Sequence, residues 1–93
     1  MTPIRIVVVD DHALFRAGLI SLLSQMPEIE VVGEGGNGKE ALEIVIRTQV
    51  DIILLDVNMP IMNGVEAVKA LRKITDCPIL MLTISKQQDL KAN

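Results

Sequence analysis

Asp10, Asp11, Asp56 and Thr83 share one feature: each stands at the end of a run of large apolar residues. Ile4 to Val9 leads into the Asp10-Asp11 pair, Ile52 to Leu55 into Asp56, and Ile79 to Leu82 into Thr83. Three carboxylates in one pocket repel, and they must either take up a proton or hold a cation. Hard oxygen ligands in small number, with positions left for water, suit Mg²⁺ better than zinc or a dedicated calcium cage. Asp11 and Asp56 are the expected direct ligands, Asp10 acts through water, and the main-chain carbonyl of Asn58 completes the protein's share. A carboxylate held against such a cation can also attack phosphorus and form an acyl phosphate. Taken singly, these residues have plainer roles. Asp10 and Asp11 suit helix caps, Asp56 a turn before Pro60, Asn63-Gly64 another turn, and Thr83 a strand end. Their joint placement favours a site.

The surrounding runs give the elements that must position them. Ile4–Val9 and Ile52–Leu55 read as strands buried on both faces, the usual state inside a parallel sheet. Asp11 is placed to cap a helix from His12, with Phe15, Leu19, Leu22, Leu23 and Met26 as its apolar face and Pro27 beyond its end. Residues 29–33 read as a shorter edge strand. Asn37 with Glu40, and Asn63 with Glu66, are capping-box patterns for two further helices. Their expected buried sides are Ala41, Leu42, Val45 and Ile46, then Val65, Val68, Leu71 and Ile74. Residues 78–82 form a fourth apolar strand, and Ser85 with Gln88 hints at a fourth helix. Alternating strands and helices predict right-handed βαβ units and a doubly wound parallel α/β sheet. In such sheets the functional site lies outside the carboxyl ends of the strands, where all four residues fall.

Length and composition narrow the classes. Ninety-three residues make one small domain, and with one Phe and no Trp or Tyr the core must be aliphatic. The formal charge of −3 argues against a nucleic-acid surface on this chain. A single cysteine, Cys77, excludes a disulfide framework and a multi-cysteine zinc site. Cys77 itself reads as a small apolar filler. The first apolar run is too short and too charged for a signal peptide or a membrane span, so the expected location is the cytoplasm.

Two motif matches are set aside. Residues 33–39 spell G-x-x-x-x-G-K, but Glu40 stands where a nucleotide-binding loop needs Ser or Thr for Mg²⁺. Asp56-Val57-Asn58 resembles the start of an aspartate-nucleophile phosphatase, but Asn58 removes the second carboxylate needed for self-sustained turnover. His12 reads as a surface or loop residue, and Lys69, Arg72 and Lys73 as a solvated helix end.

The motifs V-V-V-D-D (7–11), L-D-V-N-M-P-I-M-N-G (55–64) and L-T (82–83) together resemble the receiver domains of two-component response regulators. D-D-H-A-L-F-R-A-G-L and V-V-G-E-G-G-N-G-K-E-A further resemble receivers of the NarL/FixJ kind, which usually precede a LuxR-type helix-turn-helix. The resemblance implies a flavodoxin-like (CheY-like) sheet of order 2-1-3-4, without the family's fifth strand and last helix. It implies Asp56 as the phospho-acceptor, Asp10, Asp11, Asp56 and the Asn58 carbonyl as the Mg²⁺ site, and Thr83 as the switch hydroxyl. It also implies a sensor histidine kinase as phosphoryl donor, docking on the first helix and neighbouring loops. DNA would be contacted only through an output domain absent from residues 1–93.

On this resemblance the chain is expected to be a partial receiver, truncated before the fifth strand. The Lys that pairs with the phosphoryl group and the aromatic switch residue then have no counterpart. A bare fourth strand and a thinly covered sheet face lead to the expectation of a homo-oligomer, by edge pairing or exchange of elements. The alternative function is an oligomerising interaction module without phosphotransfer.

Overall fold

The computed structural model describes residues 2–59 and 61–82; Thr83 and the helix suggested by Ser85 and Gln88 lie outside the described residues. In chain order the elements are β1 (Ile4–Val9), α1 (Ala13–Ser24), β2 (Ile29–Gly35), α2 (Gly38–Arg47), β3 (Ile52–Asp56), α3 (Gly64–Leu71) and β4 (Ile79–Leu82). All strand pairings among them are parallel, in the order β2-β1-β3-β4. This is the expected order. β1 and β3 are central, which explains why their sequences are unbroken apolar runs rather than alternating ones.

Alternate residues of the central strands feed two hydrophobic clusters. Val7, Val9, Ile53 and Leu55 pack with Ala41 and Ile44 of α2, Met59, and Ala67 and Leu71 of α3. Ile6, Val8 and Leu54 face the other way, where Leu19, Ile20 and Leu23 of α1 join them. Cys77 packs at the margin of the larger cluster, consistent with a filler role. At the outer edge of the described sheet, Leu80 of β4 is 58% exposed. Among the described residues no helix is long and apolar enough to cross a membrane.

Several helix faces differ from the sequence expectation, and packing explains each. On α1 the buried-side residues are Leu19, Ile20 and Leu23, whereas Leu22 and Met26 are exposed. Leu22 lies about 100° around the helix from Leu23, and Met26 comes after the helix has ended. On α2 the buried residues are Gly38, Ala41 and Ile44, and Ile46 is exposed. Small residues set that rotation: a Cβ at Gly38 would stand 2.9 Å from the Met62 carbonyl oxygen and 3.0 Å from the Ala67 Cβ. On α3, likewise, Gly64, Ala67 and Leu71 are buried while Val65 and Ile74 are exposed. Hydrophobicity alone put Ile46 and Val65 inside; close approach of helices and sheet places Gly38, Ala41, Gly64 and Ala67 there, beside Ile44 and the expected Leu71.

The caps also divide. Asn63 and Glu66 form the reciprocal box, with Glu66 N–H to Asn63 Oδ1 at 2.9 Å and Asn63 N–H to Glu66 Oε1 at 3.1 Å. Asn37 Oδ1 accepts from Glu40 N–H, but the Glu40 carboxylate turns to Gly36 N–H at 2.6 Å. Asp11 does not cap α1 as expected: His12 occupies the N-cap position, and its N–H is held by Asp10 Oδ1 at 2.7 Å. Arg72 is exposed, as the solvated reading expects, and it also ties the loop after α3 by donating to the carbonyls of Thr75 and Cys77.

Among the described residues, Ile61 carries backbone strain. Ile61 has φ of 67°, the left-handed region that a β-branched side chain disfavours. Its side chain is exposed, so little packing opposes a change there. Ile61→Gly should raise the unfolding free energy by about 1 kcal/mol. Urea titration reads this directly; a lowered midpoint would show that the loop gains more from the side chain than it loses in strain.

Candidate functional site

The register of the central strands brings the acidic residues together. Val9 lies level with Leu55 on one side and Gly35 on the other, so Asp10 and Asp56 leave adjacent strands at the same height. Asp10 N–H donates to the Gly35 carbonyl at 3.0 Å, extending the ladder by one residue. Asp10 is 1% exposed and Asp56 3%, while Asp11 is exposed. The two buried carboxylates accept in the same way from the amide two residues on. Asp10 Oδ1 takes His12 N–H, and Asp56 Oδ1 takes Asn58 N–H at 3.2 Å. These Asx-type turns bend the chain away from each strand and aim the carboxylates over its end.

The loop after Asp56 is anchored at both ends. Val57 N–H reaches the Leu82 carbonyl at 3.4 Å, and Gly64 N–H returns to the Val57 carbonyl at 2.9 Å. Gly64 packs directly on the strand end: a Cβ there would lie 2.7 Å from Val57 Cα and 2.8 Å from the Asp56 carbonyl oxygen. The capping box at Asn63 fixes the start of α3 just before this contact.

Asp10, Asp11 and Asp56 each offer a carboxylate oxygen, and these atoms all lie within 4.8 Å of one another. An all-oxygen set of three carboxylates at the carboxyl ends of the central strands fits a hard divalent cation and does not suit zinc. Asn58 is adjacent, with its N–H engaged by Asp56. His12 contributes its main-chain amide to the turn at Asp10, and its side chain is exposed. The G-x-x-x-x-G-K segment forms the end of β2 and the start of α2, and the Glu40 carboxylate already occupies Gly36 N–H. An anion would have to displace a carboxylate there, which agrees with setting the nucleotide reading aside.

Arg16 was not singled out from the sequence. It reaches from α1 to the Asp10 carbonyl, to the Gly35 carbonyl at 3.3 Å and to Glu34 Oε1 at 2.9 Å. The available signal was its isolation. Apart from His12, it is the one ionisable residue between Asp11 and Glu28, in an otherwise apolar or small helix.

A family model described as the response regulator receiver domain matches residues 6–93. The chain belongs to this family. Among its relatives, transcriptional regulatory protein DegU of Brevibacillus brevis is 46% identical over 82 residues, covering 87% of this chain and 35% of DegU. Protein-glutamate methylesterase/protein-glutamine glutaminase 2 of Photobacterium profundum is 39% identical over 89 residues, covering 96% of this chain and 23% of that protein. The solved signal receiver domain of the response regulator NarL of Mycobacterium tuberculosis superposes with a TM-score of 0.76 at 29% identity. That alignment covers 99% of this chain and 94% of the solved one. The receiver thus spans well under two thirds of these curated relatives, and its sheet order is that of the flavodoxin-like fold. Likeness to NarL-type regulators, expected from the sequence, is present, and likeness to methylesterases of a different output class stands beside it.

Proposed function

We propose that this receiver takes a phosphoryl group from a sensor histidine kinase onto Asp56, with Mg²⁺ held by Asp10, Asp11, Asp56 and the Asn58 carbonyl. The observation that carries the reading is the convergence of three carboxylates within 4.8 Å at the ends of two adjacent strands. Bound Mg²⁺ would offset the repulsion between the attacking carboxylate and the phosphoryl oxygens. A carboxylate oxygen of Asp56 attacks phosphorus; the bond from phosphorus to the donor imidazole breaks, and that nitrogen keeps the electron pair. The product is an acyl phosphate on Asp56. Strand β3 and the Asn58 amide orient the nucleophile, and the Gly64 contact holds its backbone still. Thr83 follows Leu82 in the sequence, and Leu82 is level with Asp56 in the register, which supports the switch-hydroxyl role for Thr83. Kinase docking on α1 draws support from Leu14, 82% exposed in the first turn beside the acidic residues.

A cytoplasmic regulator of transcription, acting on DNA through a separate output domain, fits the likeness to DegU and NarL. On this reading residues 1–93 form a receiver domain, regulatory rather than enzymatic beyond its own phosphorylation and dephosphorylation.

The test is incubation with acetyl phosphate and Mg²⁺, read by intact mass and by mapping the modified peptide. One phosphoryl group on the peptide carrying Asp56, absent when the cation is chelated, is expected. Modification elsewhere would sink the assignment. No modification, together with concentration-dependent association, would favour the oligomerising module, to which the exposed Leu80 on the outer strand lends support.

A further inference from the structure

We propose that Arg16 is a positioning residue for the acidic pocket: it fixes the peptide between Asp10 and Asp11 and so sets how their carboxylates meet a cation. The inference rests on reading that pocket as a cation site. Arg16 lies in the second turn of α1, and one guanidinium nitrogen donates to both the Asp10 carbonyl and the Gly35 carbonyl. The Asp10 carbonyl belongs to the peptide that joins the two acidic residues. On the other side of Asp10, its N–H donates to the same Gly35 carbonyl. Both peptides flanking Asp10 are therefore tied to one point, where the ends of β1 and β2 meet α1. The second arm of the guanidinium, Nε, holds Glu34.

The burial pattern separates these contacts. The Arg16 side chain is 21% exposed and that of Glu34 54%, so the ion pair is largely solvated and worth about 0–1 kcal/mol. The carbonyl contacts lie on the sheltered side. There a terminal nitrogen of the planar guanidinium meets two acceptors at a reach one bond longer than the ammonium of lysine attains. Without that guanidinium the Asp10-Asp11 peptide can rotate, and the two carboxylates lose their fixed divergence. The carbonyls that Arg16 holds lie at the ends of β1 and β2, past the apolar layers that the two clusters form. Cation affinity, rather than folding, is the property it should govern.

The test uses the whole chain with Arg16→Met, Arg16→Lys and Glu34→Gln, titrated with Mg²⁺ by calorimetry and unfolded by urea in a chelator. Arg16→Met should bind Mg²⁺ about tenfold more weakly, as expected when a group orienting a metal ligand is lost. Arg16→Lys should be nearly as weak, and Glu34→Gln should stay within about twofold of the wild type. A folded Arg16→Met with wild-type affinity overturns the inference, even if its urea midpoint falls, because the role is then structural. Full recovery in Arg16→Lys also overturns it, and that variant carries the test if Arg16→Met does not fold. A wild-type chain that binds no Mg²⁺ overturns this inference and the cation reading together. Wild-type binding with unaffected variants overturns the Arg16 inference alone.

Discussion

Asp56→Asn should accept no phosphoryl group from acetyl phosphate at any Mg²⁺ concentration, while remaining folded and becoming more stable in the absence of cation. An amide is not a nucleophile toward phosphorus, so the loss of labelling is complete rather than partial. The fold should survive because asparagine has the shape of aspartate and keeps an acceptor oxygen for the Asn58 amide, one of the contacts that Asp56 makes. Stability should rise because one of two buried negative charges is removed from a shared pocket. At the 4.8 Å within which these oxygens all lie, and an effective dielectric near 20, a pair of unit charges repels by on the order of 3 kcal/mol before solvent, hydrogen bonds and counter-charges reduce it. A net gain of about 1 kcal/mol in chelator is the expectation. Mg²⁺ should stabilise the wild type by mass action and this variant less, because a ligand is gone. Urea unfolding with and without Mg²⁺, beside intact-mass labelling, reads all of this. Labelling that persists in Asp56→Asn removes Asp56 from the acceptor role, and a large loss of stability would mean that its charge is compensated within the fold.

Gly64→Ala should destabilise the protein by about 2 kcal/mol and weaken Mg²⁺ binding at the same time. The added Cβ would meet Val57 Cα at 2.7 Å and the Asp56 carbonyl at 2.8 Å, closer than real Cβ contacts come. Both are backbone atoms at the end of a buried central strand, with no side chain free to swing aside. Relief requires α3 to back away from the strand end, which strains the Gly64 N–H to Val57 carbonyl bond at 2.9 Å. The strand end that shifts is the one carrying Asp56. Gly18→Ala is the matched comparison, because nothing lies within 4 Å of a Cβ there and the position is inside α1. That change should stabilise by up to about 1 kcal/mol through helix propensity. Equal urea midpoints for the Gly64 and Gly18 variants would show that α3 yields at little cost and does not brace the site.

The sequence alone determined the strand runs, their parallel character, the cap at Asn63 and the identity of the acidic trio. These are legible because each depends on local chemistry: unbroken β-branched runs, a side chain and an amide three residues apart, carboxylates at run ends. The motifs carrying the receiver resemblance add the strand order, and the observed register of β1 against β3 agrees with it. Which helix residues are buried was not legible for Leu22, Ile46, Val65 and Ile74. Apolar character marks a preference for burial, but close approach decides it, and Gly38, Ala41, Gly64 and Ala67 permit that approach. Nor was Arg16 legible as part of the site. Besides the Glu34 carboxylate, its partners are main-chain carbonyls at the end of its own preceding strand and of the next one, and carbonyls carry no sequence signature. Only the tertiary structure brings β1, β2 and α1 to one point, so only it shows that a helix arginine holds the peptide between Asp10 and Asp11.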